Sequence, residues 1–419
     1  MSKRVVVVGG GVIGLSVAYH CLQRGHRVTL IERGARERDD CSFANAGMVV
    51  PSHVVPLASP GAVKLGLSGL GRAGKPLYVK PRLSAELFDW GWKFCRASTR
   101  QHVERSAPVL RDLHLASREC YRKWATRWSN EFELQQHGLL MLCATEHGLA
   151  EEAAIGARAR GLGIPAETLT AAAAATLEPN IRMRIAGAVF YPMDCHLTPG
   201  RLMALLAREV ERLGARSRFN ATAGQWQVDG GTIRSVEAAG ETIAADEFVI
   251  AAGMWSKDIA RSLGFRLPMQ SGKGYSLTID TPAGVAQPHA CAILSEARLA
   301  MTPMGSSLRF GGTMEMTGID ETIDRDRVRG IANAVSRYYP DFTPPRFEAT
   351  HVRAGLRPCS PDGLPYIGRV SRFANLSVAT GHAMMGISLA PITGKLIAEM
   401  LSGQPLSCSV AGLDPDRYA

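Results

Sequence analysis

With 419 residues, 46% of them hydrophobic and 21% charged, the chain has the composition of an ordinary globular protein, which excludes a disordered or fibrous reading. Its length exceeds what one hydrophobic core usually serves, so two domains are expected. Lys plus Arg (48) outnumber Asp plus Glu (38), a formal net charge of +10 that favours anionic substrates, acidic partners, lipid headgroups or nucleic acid without choosing among them.

At the N-terminus Lys3 and Arg4 precede an uncharged stretch, 5–23, that imitates a secretory signal or a short membrane span. The glycines at 9, 10, 11 and 14 argue against both, and no later segment reads as long and apolar enough to span a bilayer. Residues 4–8 form a β-branched run that predicts a buried parallel strand. GGGVIG follows, then an apolar-periodic helix closed by Gly25, then a second buried strand, RVTLIE. In this βαβ unit Gly9 allows the tight turn, Gly11 lets the backbone approach a pyrophosphate, and Gly14 lets the helix pack closely on the strand. The helix N-terminus offers free N–H groups to phosphate, and Glu32, at the end of the second strand, is placed to accept from a ribose diol. The alternative is a glycine-rich turn in some other α/β domain.

After Arg33 the alternation of strand and helix stops in a loop of small residues, CSFANAGMVVPSH. A helical region is expected over 84–128, a helix over 199–213, a strand near 217–222, a glycine-rich meander over 228–247 and a buried strand over 248–253. An interrupted nucleotide domain favours FAD over a nicotinamide dinucleotide. Between Lys64 and Arg105 about nine basic and three acidic side chains interleave with Leu87, Phe88, Trp90, Trp92 and Phe94. That mixture suits a peripheral membrane contact or an amphipathic helix burying its aromatics. The nine cysteines are odd in number, widely spaced and never form CxxC; a disulfide framework, a zinc knuckle and an iron–sulfur ligand set are disfavoured and a reducing cytosol fits best.

Several ordered motifs, GGGVIG with Glu32, SFANAGM, DCHLTP, FVIAAGMWS, GKGYSL, AGLRPCSPDGLPYIG and ATGHAMMGISLAP, together resemble the D-amino-acid oxidase superfamily of flavoproteins, and most of all its D-amino-acid dehydrogenases and glycine-oxidase-like enzymes. The resemblance implies an α/β chain: an interrupted Rossmann-type FAD-binding domain (1–60, 180–265 and 355–419) and a substrate domain (61–179 and 266–354) built on a large antiparallel sheet plus helices. It assigns Gly9, Gly11, Val12, Ile13, Gly14, Glu32, Arg33, Ser42 and Asn45 to the cofactor, with Ala46, Gly47 and Met48, the last facing the isoalloxazine. Ala223, Ala252, Gly253 and Trp255 join that set, as do Gly381, His382, Ala383, Met384, Met385, Gly386 and Ile387, where a helix opens whose positive end can stabilise reduced, anionic flavin.

Arg357, in AGLRP, resembles the family arginine that pairs with a substrate α-carboxylate, a task suited to a guanidinium fork. Tyr275 is expected to line the pocket or to be a core tyrosine, and His196 is a candidate base or a structural donor. Two positions depart from relatives. Met384 stands where glycine oxidases carry a second arginine, suggesting a larger or more apolar substrate side chain. Gly355 stands where sarcosine oxidases attach flavin through cysteine, so FAD is expected to be noncovalent.

The resemblance thus implies oxidation of a D-amino acid, including a cyclic one such as D-proline or D-hydroxyproline, by hydride transfer to flavin N5. Electrons would pass to a quinone or an electron-transfer protein, in the cytoplasm or peripherally on the inner face of the cell membrane. A glycine- or sarcosine-type amine oxidase using oxygen, a flavoprotein of tRNA modification and a non-catalytic flavin-binding subunit are the alternatives. With no RNA-binding module in view, nucleic acid is not an expected partner.

Overall fold

The computed structural model describes residues 1–37, 40–70, 77–281, 286–343, 347 and 350–419. Residues Val5–Val8 are buried on both faces, as a strand in the middle of a parallel sheet requires, and lie between the strands Arg27–Ile31 and Glu247–Ile250. The six-stranded sheet runs Tyr366–Arg369, Leu376–Thr380, Glu247–Ile250, Arg4–Val8, Arg27–Ile31, Arg216–Arg218, parallel except for its first pair. One face carries the helices Val12–Gln23, Pro199–Arg212 and Gly386–Ser402, which share a core with Val5, Val7 and Leu30. The other carries the antiparallel meander Ala223–Asp229, Thr232–Ala238, Glu241–Ala244, whose Ile233 and Val236 pack with Val6, Val8 and Phe248.

A second, nine-stranded sheet forms the other layer system, largely antiparallel as expected, with parallel pairs where Cys291–Leu294 meets Leu139–Cys143 and where Leu77–Val79 joins Ser307–Met316. The helix Arg325–Tyr338 covers one of its faces through Ile331, Val335 and Tyr338. Gly187–Tyr191 belongs to this sheet, so the chain re-enters the nucleotide layer at the helix Pro199–Arg212 and not at residue 180. The strand His351–Cys359 also lies in it, running across the expected boundary at 355.

The expected helical region at 84–128 is two helices, Ala85–Ala97 and Arg100–Arg127, separated where Thr99 caps the second. Along the longer one Val103, Ala107, Leu110, His114, Ser117, Tyr121 and Trp124 recur every three or four residues and are all buried. Trp90 and Phe94 of the shorter helix stack inward at 5.0 Å, while Leu83 (99% exposed), Phe88 (66%) and Trp92 (58%) face outward. Arg72 and Lys75 of the basic segment lie outside the described residues.

One expectation is corrected. The helical stretch Ala383–Ser402 is long and apolar enough to cross a bilayer by length and composition, but 78% of its apolar window is buried. It is apolar all round because it is sandwiched between the helices Val12–Gln23 and Arg100–Arg127.

Candidate active site

The C-terminal ends of the parallel strands converge on one edge of the six-stranded sheet. The helix Val12–Gln23 starts there with no side-chain cap and no acid in its first turn; the Val12 N–H donates to Ser42 Oγ at 3.1 Å, which pins the loop 41–48 against the phosphate turn. The close strand–helix approach is literal: a Cβ on Gly14 would stand 1.8 Å from the carbonyl oxygen of Gly9. Glu32 accepts from the Gly10 and Gly34 N–H groups, both at 2.7 Å, and so ties the second strand to the turn. The Arg33 guanidinium carbon lies over the Trp255 ring, 3.3 Å from its centroid, joining the ends of two strands. A cleft of about 690 Å³, lined by Gly10, Leu30, Arg36, Phe43, Met203 and Phe219 among others, flanks this turn. These features fit the pyrophosphate and nucleoside of a dinucleotide.

Asn45 Oδ1 accepts from Gly47 N at 2.8 Å, the expected bond within its own loop. Met48 pairs through its backbone with His196 and is 9% exposed, in an apolar cluster that also holds Leu139, Tyr191 and Cys291. Ala223 opens the meander just after Ala221, whose N–H donates to the Glu32 carbonyl. Ala252, Gly253 and Trp255 form a tight turn after the strand Glu247–Ile250, and Gly253 accepts from Thr380 Oγ1 at 3.0 Å. Gly381 and His382 lead into the turn Ala383–Met385 and the helix at Gly386 and Ile387. His382 is buried and bonds Thr393 at 2.9 Å, a structural role, whereas Met384 is 50% exposed.

The strand His351–Cys359 abuts both turns, through a bridge from Cys359 to His382 and contacts with Gly253–Trp255. This brings Arg357 to the cofactor edge. Its Nη1 donates to the Thr313 carbonyl at 2.7 Å, and its guanidinium lies directly over Gly274, where a Cβ would meet both terminal nitrogens at 2.2 Å. Burial pushes its pKa down, with only the thiols of Cys41 and Cys359 opposing. Among the described residues no carboxylate pairs with it. A half-buried guanidinium held by one carbonyl has fork donors left for an anion.

Tyr275 is corrected. Strand residues alternate faces, so with Gly272 and Gly274 turned toward Arg357, Lys273 and Tyr275 point the other way. Tyr275 packs with Phe310 and Ile331, its hydroxyl accepting from Asp324 N at 3.4 Å, and lines no pocket beside Arg357. His196 pairs through its backbone with Met48 and Gln135; the residue is 2% exposed and burial lowers its pKa to about 4, so it is a neutral imidazole beside the loop.

Three features were missed. Asp194, fully buried, accepts from the N–H and hydroxyl of Ser52, and burial raises its pKa to about 7. It stands in DCHLTP, a buried-acid signal that could have been followed. Trp90 donates to the Cys359 carbonyl at 2.9 Å. Arg309 bonds the carbonyls of Phe43 and Asn45, and its sole sequence signal is a charge inside an alternating strand.

The matched family model is "FAD dependent oxidoreductase", over residues 4–400. The chain belongs to this family. It is an FAD-dependent oxidoreductase. A D-amino acid dehydrogenase of Bradyrhizobium diazoefficiens is 30% identical over 431 aligned residues, and one of Paramagnetospirillum magneticum is 31% identical; each comparison spans 99% of both chains. Among solved structures, a glycine oxidase from Geobacillus kaustophilus (TM-score 0.79, 24% identity, 100% of both chains) and an L-proline dehydrogenase from P. horikoshii (0.78, 17%, 100% of this chain and 98% of that one) share the fold.

The buried imidazoles carry a testable consequence. Burial lowers His53 and His196 to about 4 and His20, His114 and His382 to about 3, from an ordinary 6.5. Below 6.5 the unfolded chain binds protons at these sites and the folded chain does not, so stability present above that pH is lost as pH falls toward 4. Asp194 runs the other way, keeping its proton when folded up to about 7 against 3.8 unfolded, and offsets one such group. The thermal midpoint should fall on acidification from pH 6.5 to 5, and His382→Gln should flatten that fall by about 1.4 kcal/mol per pH unit. A midpoint flat across this range would contradict the assignment.

Proposed function

We propose that the protein oxidises a D-amino acid, the activity in its relatives' names, to an imine that water converts to a 2-oxo acid and ammonia. A cyclic substrate such as D-proline or D-hydroxyproline would leave a cyclic imine. The observation that carries this reading is Arg357, a half-buried guanidinium at the cofactor edge with donors left for a carboxylate. Bound FAD supplies the hydride acceptor, at flavin N5.

Arg357 holds and orients the substrate carboxylate by two parallel N–H to O bonds, which fixes where Cα lies. Trp90, Met314 and Ala383 form an apolar cluster around Cys359, two residues along the same strand, with Met384 exposed next to it. Such surroundings favour an apolar substrate side chain and disfavour a charged ammonium through desolvation, leaving the amine neutral for oxidation. His196, neutral and buried, fits a positioning role beside the loop.

Flavin attachment is noncovalent in this reading. Cys359 is fully buried and its thiol is pushed up to about 12, and Gly355 stands at the position of attachment in sarcosine oxidases. Acid precipitation should therefore release FAD into the supernatant, and flavin retained in the pellet would contradict this. Electrons pass to a quinone or another carrier in preference to oxygen. The outward apolar groups Leu83, Phe88 and Trp92, close to exposed Arg96 and Arg100, support a peripheral contact with the inner face of the cell membrane.

The test is anaerobic bleaching of the bound flavin by D- and L-amino acids, glycine, sarcosine and hydroxyproline stereoisomers. D-amino acids should bleach it fastest. Bleaching by glycine or sarcosine alone, with oxygen turning the enzyme over as fast as a quinone, would replace this reading with an amine oxidase.

A further inference from the structure

We propose that Arg309 is a positioning residue for the flavin: reaching from the substrate sheet, it fixes the backbone of the loop 42–48 and couples cofactor retention to that sheet. This rests on the reading that the loop lies at the flavin.

Arg309 sits in the strand Ser307–Met316 between Leu308 and Phe310, both fully buried in the core of the large sheet. Alternation sends Arg309 to the opposite face, the one that Gly274 and Arg357 share, because its register partner there is Thr278, four residues along the same strand from Gly274. Arg309 is 8% exposed. Its Nη1 donates to the carbonyl of Phe43 at 2.7 Å and of Asn45 at 2.9 Å, and its Nε donates to Thr278 Oγ1 at 3.1 Å.

Two carbonyls from alternate residues of a turn thus converge on one guanidinium nitrogen. A loop of this kind ordinarily satisfies its carbonyls with water. Here a charged donor does so inside the protein, where such bonds are about twice as strong as neutral ones. The same loop is held from the other side by the Ser42 bond to Val12 N. It is clamped between the phosphate turn and the substrate sheet, so the orientation of its small residues is set by groups on both layers. Lysine, a point charge without the fork, would keep only part of this.

The test is the rate at which diluted holoenzyme releases fluorescent flavin, with the visible spectrum of the bound form as a second readout. Arg309→Met should release flavin about tenfold faster or more, and the shoulders of the long-wavelength band should blur; Arg309→Lys should recover part of both. Ala44→Leu, which changes the loop's own surface while leaving both carbonyls, tests the underlying reading. Faster release in Ala44→Leu with unchanged release in Arg309→Met overturns the positioning role and leaves the loop assignment standing. Unchanged release in both overturns the loop assignment and the proposal with it. Should Arg309→Met fail to fold, unchanged release and spectrum in both Arg309→Lys and Thr278→Val would overturn the proposal.

Discussion

Replacing Arg357 with Ala should lower the apparent second-order rate of flavin reduction by about thirtyfold to several-thousandfold while leaving FAD content almost unchanged. Removing the partner of a buried charged group costs roughly 2 to 5 kcal/mol, and about 1.4 kcal/mol is a decade. Lys should recover only part, since an ammonium cannot offer two parallel donors. A companion variant separates geometry from charge. A Cβ on Gly274 would stand 2.2 Å from both terminal guanidinium nitrogens. These are the far end of a flexible side chain, so Gly274→Ala should leave the fold nearly as stable and displace the guanidinium. A displacement of about 1 Å can cost on the order of 100-fold in rate. Stopped-flow flavin reduction at several substrate concentrations measures all three. Less than about a threefold effect in Arg357→Ala with flavin fully bound would remove the arginine from the site.

Gly14→Ala should strip the cofactor and weaken the fold together. Its Cβ would meet the carbonyl oxygen of Gly9 at 1.8 Å, and both atoms are fixed by the strand and the helix, so the helix Val12–Gln23 must move off the sheet. Overpacking of this kind costs about 1 to 3 kcal/mol or more. It also withdraws the helix N-terminus from the pyrophosphate, so flavin per purified chain should fall to about a tenth or less. Gly11→Ala separates the two effects: its nearest protein neighbour would be Ser42 Oγ at 3.3 Å, so the fold should hold, while its Cβ would obstruct the close approach of the backbone to the pyrophosphate, so flavin should still be lost. The measurements are flavin content by absorbance and the thermal midpoint. Full flavin occupancy in Gly14→Ala would contradict the role of this turn.

What could be read from the residue order alone was local. The β-branched run before GGGVIG, the glycine spacing and Glu32 imply a strand, a turn and a second strand because each constraint acts within some thirty residues. The interruption of the nucleotide domain was legible for the same reason, since the strand–helix rhythm visibly stops and returns. The ordered motifs added the family, and Arg357 with it. Tyr275 marks the limit. It sits in a motif that points to the site, yet a strand presents alternate residues to opposite faces, and which face meets the cofactor is decided by the partner strands. Gly272 and Gly274 leave room for Arg357 on one side, so Tyr275 belongs to the other, against the helix Arg325–Tyr338. Arg309 and the Asp194–Ser52 pair had the opposite fate: Asp194 sits in the motif DCHLTP and Arg309 in an alternating strand, yet neither setting names a partner, because the partners lie 142 and 264 residues away. The apolar stretch at 383–402 is ambiguous between a membrane span and a core helix, because composition records only that water is absent. The helices packed on both sides of it, not the stretch itself, decide that protein is what replaces the water.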